Sequence, residues 1–120
     1  MKKVKLLIVD DEENIRFLFK EELEEEGYEV DVASNGLDAL EKIKNAAFDL
    51  VILDIKMPGM NGIQALNEIK NMNKDLPVIL CSAYGEFKQD FSSWASDGYV
   101  VKSADTKELK QTIKDILGIA

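Results

Sequence analysis

Two hydrophobic periods alternate along this chain, and that alternation constrains the fold more than any single residue does. Short, continuously apolar runs occupy residues 6–9, 50–53, 78–81 and 99–101, with a weaker fifth at 30–33. They are rich in Val, Ile and Leu, and the stronger ones lack the polar alternation of a half-exposed strand. Such runs suit a parallel sheet covered on both faces. Helical spacing fills the intervals. Ile15, Leu18, Phe19 and Leu23 form one stripe, Leu37, Leu40, Ile43 and Ala47 a second, and Ile63, Leu66 and Ile69 a third. Phe87, Phe91, Trp94 and Ala95 give a fourth, and Leu109, Ile113, Ile116 and Leu117 a fifth. Five strand–helix units predict an α/β fold: a doubly wound five-stranded parallel sheet with helices on both faces. A chain of 120 residues has room for one such domain, spanning 1–120.

Boundary residues support these divisions. Asn61 with Gln64, and Asp105 with Glu108, have capping-box spacing and predict helix starts just after Asn61 and Asp105. Asn35-Gly36 opens the second helix and Gly27 closes the first. Met57-Pro58-Gly59 is a turn signal, with Pro presetting φ and Gly accepting a positive φ.

Composition then removes whole classes of chemistry. With 15 Lys+Arg against 23 Asp+Glu, the net charge of −8 opposes direct nucleic-acid binding. The chain has no histidine, which excludes a Ser-His-Asp triad and any His-ligated metal. Its one cysteine, Cys81, cannot form an intrachain disulfide and reads as a small buried hydrophobe. The basic head at Lys2, Lys3 and Lys5 is followed by too short an apolar run for an export signal, and no run approaches a membrane span. A cytoplasmic protein without membrane contact is expected. The starting Met and the completed fifth helix favour a stand-alone form.

In doubly wound sheets the site lies beyond the carboxyl ends of the strands. Those ends carry Asp10 and Asp11 on the first strand, Asp54 on the third, Ser82 on the fourth and Lys102 on the fifth. Three carboxylates, a hydroxyl and an ammonium should converge there. Clustered carboxylates need a compensating cation, and Mg²⁺, which prefers oxygen ligands and phosphate, suits them. Lys102 and Ser82 suit a phosphoryl oxygen, and Asp54, the central carboxylate, could attack phosphorus to give an acyl phosphate. Each residue alone has a plainer explanation. Asp10-Asp11-Glu12-Glu13 would make an acidic first helical turn, and Lys102 a solvated lysine. The convergence of four strand ends favours the site.

The segments 8–12, 49–62, 78–85 and 99–102 resemble the response-regulator receiver domains, the CheY-like family of two-component signalling, over the whole chain. The segment Ser82-Ala83-Tyr84-Gly85-Glu86 most resembles the stand-alone, sporulation-phosphorelay type. The resemblance implies a (βα)5 flavodoxin-like fold and a role for each matching residue. Asp54 would accept the phosphoryl group. Asp10, Asp11, Asp54 and the backbone carbonyl of Lys56 would hold Mg²⁺, for which Mn²⁺ could substitute. Ser82 and Lys102 would bind phosphoryl oxygens. Ser82 and Tyr99 would form a switch that reshapes the face made by the fourth helix, fifth strand and fifth helix. Lys56 and Tyr84 would tune the lifetime of the acyl phosphate. The implied partners are a histidine kinase or histidine phosphotransfer protein and a downstream protein effector, with the chain a monomer or weak dimer.

One departure stands out. The family usually has proline after the conserved lysine, with a cis bond, whereas Ser103 stands here. A cis bond before a non-proline residue costs about 2.5–4 kcal/mol, so a trans Lys102–Ser103 bond is expected. Two alternatives remain at this level. An Asp-based phosphohydrolase of the haloacid-dehalogenase type would need an acid two residues after the nucleophile, where Lys56 stands. A pseudo-receiver would bind partners without phosphorylation; the complete acidic set and Lys102 weigh against it, and the Ser103 departure keeps it open.

Overall fold

The computed structural model describes residues 3–83 and 96–119 and follows the predicted alternation. The strands are β1 (Lys5–Val9), β2 (Glu29–Ala33), β3 (Leu50–Asp54), β4 (Val78–Ser82) and β5 (Gly98–Val101). The described helices are α1 (Glu13–Glu25), α2 (Gly36–Asn45), α3 (Gly62–Met72) and α4 (Lys107–Leu117). The fourth predicted stripe, at Phe87, Phe91, Trp94 and Ala95, lies outside the described residues. The five strands form one parallel sheet in the order β2-β1-β3-β4-β5. Chain order therefore reverses at β1, which has β2 on one side and β3 on the other. No helix among the described residues is long and apolar enough to cross a membrane.

The continuous apolar runs arise because both sheet faces are covered. Alternate side chains point to opposite faces. Leu6, Ile8, Leu50, Ile52, Ile79 and Val100 pack with Phe19 and Leu23 of α1 and with Leu109 and Ile113 of α4. Leu7, Val9, Val51, Leu53, Val78 and Leu80 pack on the other face with Ala39 of α2 and with Ala65, Leu66 and Ile69 of α3. Full burial of each large aliphatic side chain contributes roughly 1.5–3 kcal/mol, which is what holds the strand ends in register.

Two expectations are corrected. Leu37 is 69% exposed, and Ala47 is exposed beyond the end of α2. The inward stripe is instead Gly36, Ala39, Leu40 and Ile43. A Cβ at Gly36 would sit 2.9 Å from the Met60 sulfur, so Gly36 faces the turn after β3. One step of about 100° around the helix then carries Leu37 outward. The second correction concerns the last helix, where no capping box forms. Helix α4 begins at Lys107, and its preceding residue Thr106 makes no capping bond. The buried Thr106 hydroxyl donates to Glu22 of α1 at 2.9 Å instead. Asp105 Oδ1 accepts from the Lys107 N–H at 3.0 Å.

The other boundaries hold. Asn61 and Gln64 form the complete capping box of α3, and Asn35 caps α2 through the Asp38 N–H at 2.8 Å. Helix α1 ends at Glu25, with the Gly27 N–H donating to Glu24 O at 3.0 Å. Gly59 has φ +74°, the left-handed conformation the turn requires. Gly62 is needed for a different reason. Its N–H donates to Ile55 O at 2.7 Å, seating the start of α3 directly on the end of β3. A Cβ there would overlap the Asp54 carbonyl oxygen and come within 2.6 Å of Ile55 Cα. Backbone cannot step aside as a flexible side chain can. Gly62→Ala is expected to lower stability by about 1–3 kcal/mol in urea unfolding. Wild-type stability in that variant would show that α3 does not rest on β3 as tightly as the geometry requires.

Candidate functional site

The reversal of chain order at β1 opens a crevice at the carboxyl ends of β1 and β3, and the chemistry-bearing residues meet there. Asp10 directly follows β1, and Asp54 is the last residue of β3. Ser82 ends β4, and Lys102 directly follows β5. The Lys102 N–H donates to Ser82 O at 2.7 Å, which extends the β4–β5 pairing by one residue and aims the lysine along the sheet edge. Its Nζ lies 2.8 Å from Asp10 Oδ2 and 3.1 Å from Asp54 Oδ1. Asp10 and Asp54 are both buried, at 2% and 3% exposure, so a single ammonium bridges two carboxylates with little water to help. The Lys102–Ser103 bond is trans, as expected, and it does not prevent this reach.

Further bonds fix the first carboxylate. Asp10 Oδ1 accepts from the Glu12 N–H at 2.9 Å, and the Asp10 N–H donates to Ala33 O at 3.1 Å. Asp11 is exposed on the adjoining turn. Asp10, Asp11 and Glu12 each offer a carboxylate oxygen, and these atoms lie within 4.8 Å of one another. Such a set of hard oxygen donors fits a small divalent cation rather than a soft metal. Ser82 is buried at the end of β4, one residue past Cys81, the register partner of Asp54. Tyr99 is buried on β5 among the side chains that face α2 and α3. Lys56 is exposed two residues beyond Asp54. Tyr84 lies outside the described residues. An open groove of about 400 Å³ adjoins Asp11, with Leu37, Pro58 and Met60 on its apolar side, so the crevice opens to solvent.

The electrostatics follow from two acids sharing one base. Burial, then the neighbouring Asp10 charge, push the Asp54 carboxyl up to about 6 despite the pull of Lys102. Burial also raises Asp10, against the opposing effects of Lys102 and the Glu12 N–H. Burial alone would lower Lys102, but its contacts with Asp10 and Asp54 outweigh that and hold it above the usual lysine range. Burial pushes the Cys81 thiol up to about 12, which leaves it an inert hydrophobe as expected.

Sequence reasoning missed one participant. Glu12 Oε1 stands 3.5 Å from the Lys102 ammonium, a third carboxylate at the same cation. Glu12 was legible only as part of an acidic first turn. Its approach to Lys102 depends on how far the β1–α1 turn carries it across the sheet edge.

The family model for the response regulator receiver domain matches residues 6–114. This chain belongs to that family. It is a receiver domain of two-component response regulators, a signalling module. It is 38% identical over 115 residues to sporulation initiation phosphotransferase F of Bacillus subtilis, covering 94% of this chain and 93% of that protein. It is equally similar, at 38%, to the transcriptional regulatory protein ResD of the same organism, but spans only 48% of it. Among solved structures it matches the response regulator TrrA of Thermotoga maritima in complex with Mg(2+)-BeF, at 52% identity and TM-score 0.89. That match covers 94% of this chain and 98% of TrrA. It also matches a structure of histidine kinase ThkA in complex with TrrA, at 53% identity and TM-score 0.88, covering 95% of this chain and 98% of the other.

The raised Asp54 carboxyl sets the sign of a pH effect on the receiver. A group whose pKa rises on folding favours the folded state below its unfolded value, and that advantage is lost as pH rises through the folded value. Metal-free wild type should therefore lose stability relative to Asp54→Asn between about pH 4 and pH 6. At neutral pH the variant should melt a few degrees higher, because Lys102 then serves one buried carboxylate instead of two. Thermal melts of both proteins across this range, in chelator, check the point. Parallel curves would show that the second carboxylate carries no penalty.

Proposed function

We propose that this chain, as a single unit over residues 1–120, accepts a phosphoryl group onto Asp54 from a phosphohistidine of a histidine kinase or histidine phosphotransfer protein. The observation that carries the reading is the meeting of Asp10, Asp54 and Lys102 at one buried point on the crevice. An Asp54 oxygen attacks phosphorus and forms a P–O bond as the P–N bond breaks. The imidazole nitrogen departs with the electron pair and its ring carries the proton. The product is an acyl phosphate.

The chain's own groups then have separate tasks. Lys102, already shared between two carboxylates, turns to a phosphoryl oxygen once Asp54 carries the phosphoryl group. The Ser82 hydroxyl donates to a second phosphoryl oxygen. The carboxylates of Asp10, Asp11 and Asp54 and the backbone carbonyl of Lys56 would hold Mg²⁺. Bound there, the ion neutralises negative charge on the carboxylates and on the phosphoryl oxygens. The oxygen donor set of the acidic turn supports this assignment, as does the Mg(2+)-BeF bound by TrrA.

Output follows from a small charge change biasing an element with two arrangements. Movement of Ser82 toward phosphate would let the Tyr99 ring shift, altering the face built on β5 and α4. A protein effector reads that face. Lys56 and Tyr84 set how readily water reaches the acyl phosphate, and hence its slow loss.

Incubation with Mg²⁺ and a small acyl phosphate, followed by intact mass measurement, should give one labile phosphoryl adduct in wild type and none in Asp54→Asn. No adduct in wild type, or an equal one in the variant, overturns the proposal. In the same assay Lys56→Asn and Tyr84→Ala should each change the decay rate of the adduct several-fold. Unchanged decay in both would remove the lifetime role.

A further inference from the structure

We infer that Arg16, the chain's one arginine, is a positioning residue for the divalent-cation site, acting through the Asp10–Asp11 peptide. The inference rests on the function proposed above. Arg16 lies one turn into α1, half-buried, and its guanidinium donates to the backbone oxygen of Asp10 at 2.8 Å. The Arg16 N–H also donates to Glu12 O at 3.1 Å. Among the described residues Arg16 makes no ion pair with a carboxylate, although Asp10, Asp11 and Glu12 are all close in sequence. Its charge is directed at a peptide oxygen.

That choice matters because the two acidic neighbours are held so differently. Asp10 is fixed through its side chain, by Lys102 and by the Glu12 N–H. Asp11 is exposed, and among the described residues its carboxylate has neither a hydrogen bond nor an ion pair. Its position is therefore set by its backbone alone. The Asp10–Asp11 peptide is planar, so fixing its oxygen fixes the plane from which the Asp11 side chain departs. Two bonds do this: the Asp10 N–H to Ala33 on one side of the residue, and the guanidinium on its carbonyl. Groups that orient metal ligands in this way matter nearly as much as the ligands.

A sign test separates positioning from plain electrostatics. A guanidinium near a cation site repels the cation, so deleting its charge alone would tighten Mg²⁺ binding. Loss of positioning weakens it. Titration calorimetry with Mg²⁺ should show Arg16→Gln binding about tenfold more weakly than wild type. Arg16→Lys, which keeps the charge and a donor, should recover part of the loss. In chelator, Arg16→Gln should also speed exchange of the Asp10 amide proton, which is bonded to Ala33 O, while exchange within α1 stays the same. That readout needs no metal, and a general loss of fold would accelerate exchange throughout the helix. Equal or tighter Mg²⁺ binding by Arg16→Gln overturns the role of Arg16. So does exchange that is unchanged at Asp10, or faster throughout α1. Failure of wild type to bind Mg²⁺ overturns the proposed function itself.

Discussion

The site is organised around an imbalance: two buried carboxylates, Asp10 and Asp54, share the single ammonium of Lys102. Removing charge from water is costly, and one cation cannot repay it for two anions. The surplus charge falls on Asp54, whose carboxyl is the most strongly raised of the described carboxylates. A site built only for stability would not be arranged this way. The arrangement persists because three strand ends are brought to one edge by an apolar core that tolerates the penalty. The same surplus makes the crevice receptive to a further cation and places the most perturbed carboxylate at its centre.

What keeps Asp54 in place is mostly backbone. The residue ends a strand buried on both sides, and the next N–H, that of Ile55, pairs with Cys81 O at 3.1 Å. Beyond it, Gly62 seats α3 on the same strand end, and the Asn61–Gln64 box prevents the first turn of that helix from fraying. The carboxylate therefore projects from a peptide clamped between sheet and helix. Lys102 is anchored in the same way, through its own N–H on Ser82. Reacting groups set on rigid elements hold their geometry better than groups on loops. Asp11 is the exception, since it stands on an exposed turn and depends on neighbours such as Arg16.

Much of this was legible in the sequence, for identifiable reasons. Strand ends are readable because continuous apolar runs have sharp boundaries, and Val9-Asp10, Leu53-Asp54 and Val101-Lys102 mark three of them. A parallel sheet sends all those ends to one edge, so convergence followed from topology without any distance. Features that depend on rotation or competition were not legible. Leu37 obeys helical spacing, yet Gly36 must lie under Met60, and that turns Leu37 outward. Asp105 has the spacing of a cap, but the buried Thr106 hydroxyl is committed to Glu22 across the α1–α4 contact. The attachment of Glu12 to Lys102 and of Arg16 to the Asp10 carbonyl likewise depends on the path of one turn. Spacing along the chain says which groups share an edge. It does not say which partner each will choose there.

The absent histidine and the acidic balance together impose a direction on the chemistry. A chain without histidine cannot supply a phosphohistidine to itself, so on the proposed reaction the donor arrives on another molecule. That donor is negatively charged, and a net charge of −8 repels it at long range. Salt screens such repulsion beyond about 8–10 Å, so what decides the outcome is the last few ångströms. There the chain offers the Lys102 ammonium, and the carboxylates that repel a phosphoryl group are the same ones that would recruit a compensating cation. The net charge thus disfavours phosphate at long range, and on the proposed reaction the cation and Lys102 would reverse the sign locally. On the proposed reaction, selectivity for the productive encounter would arise from that contrast between net charge and local site.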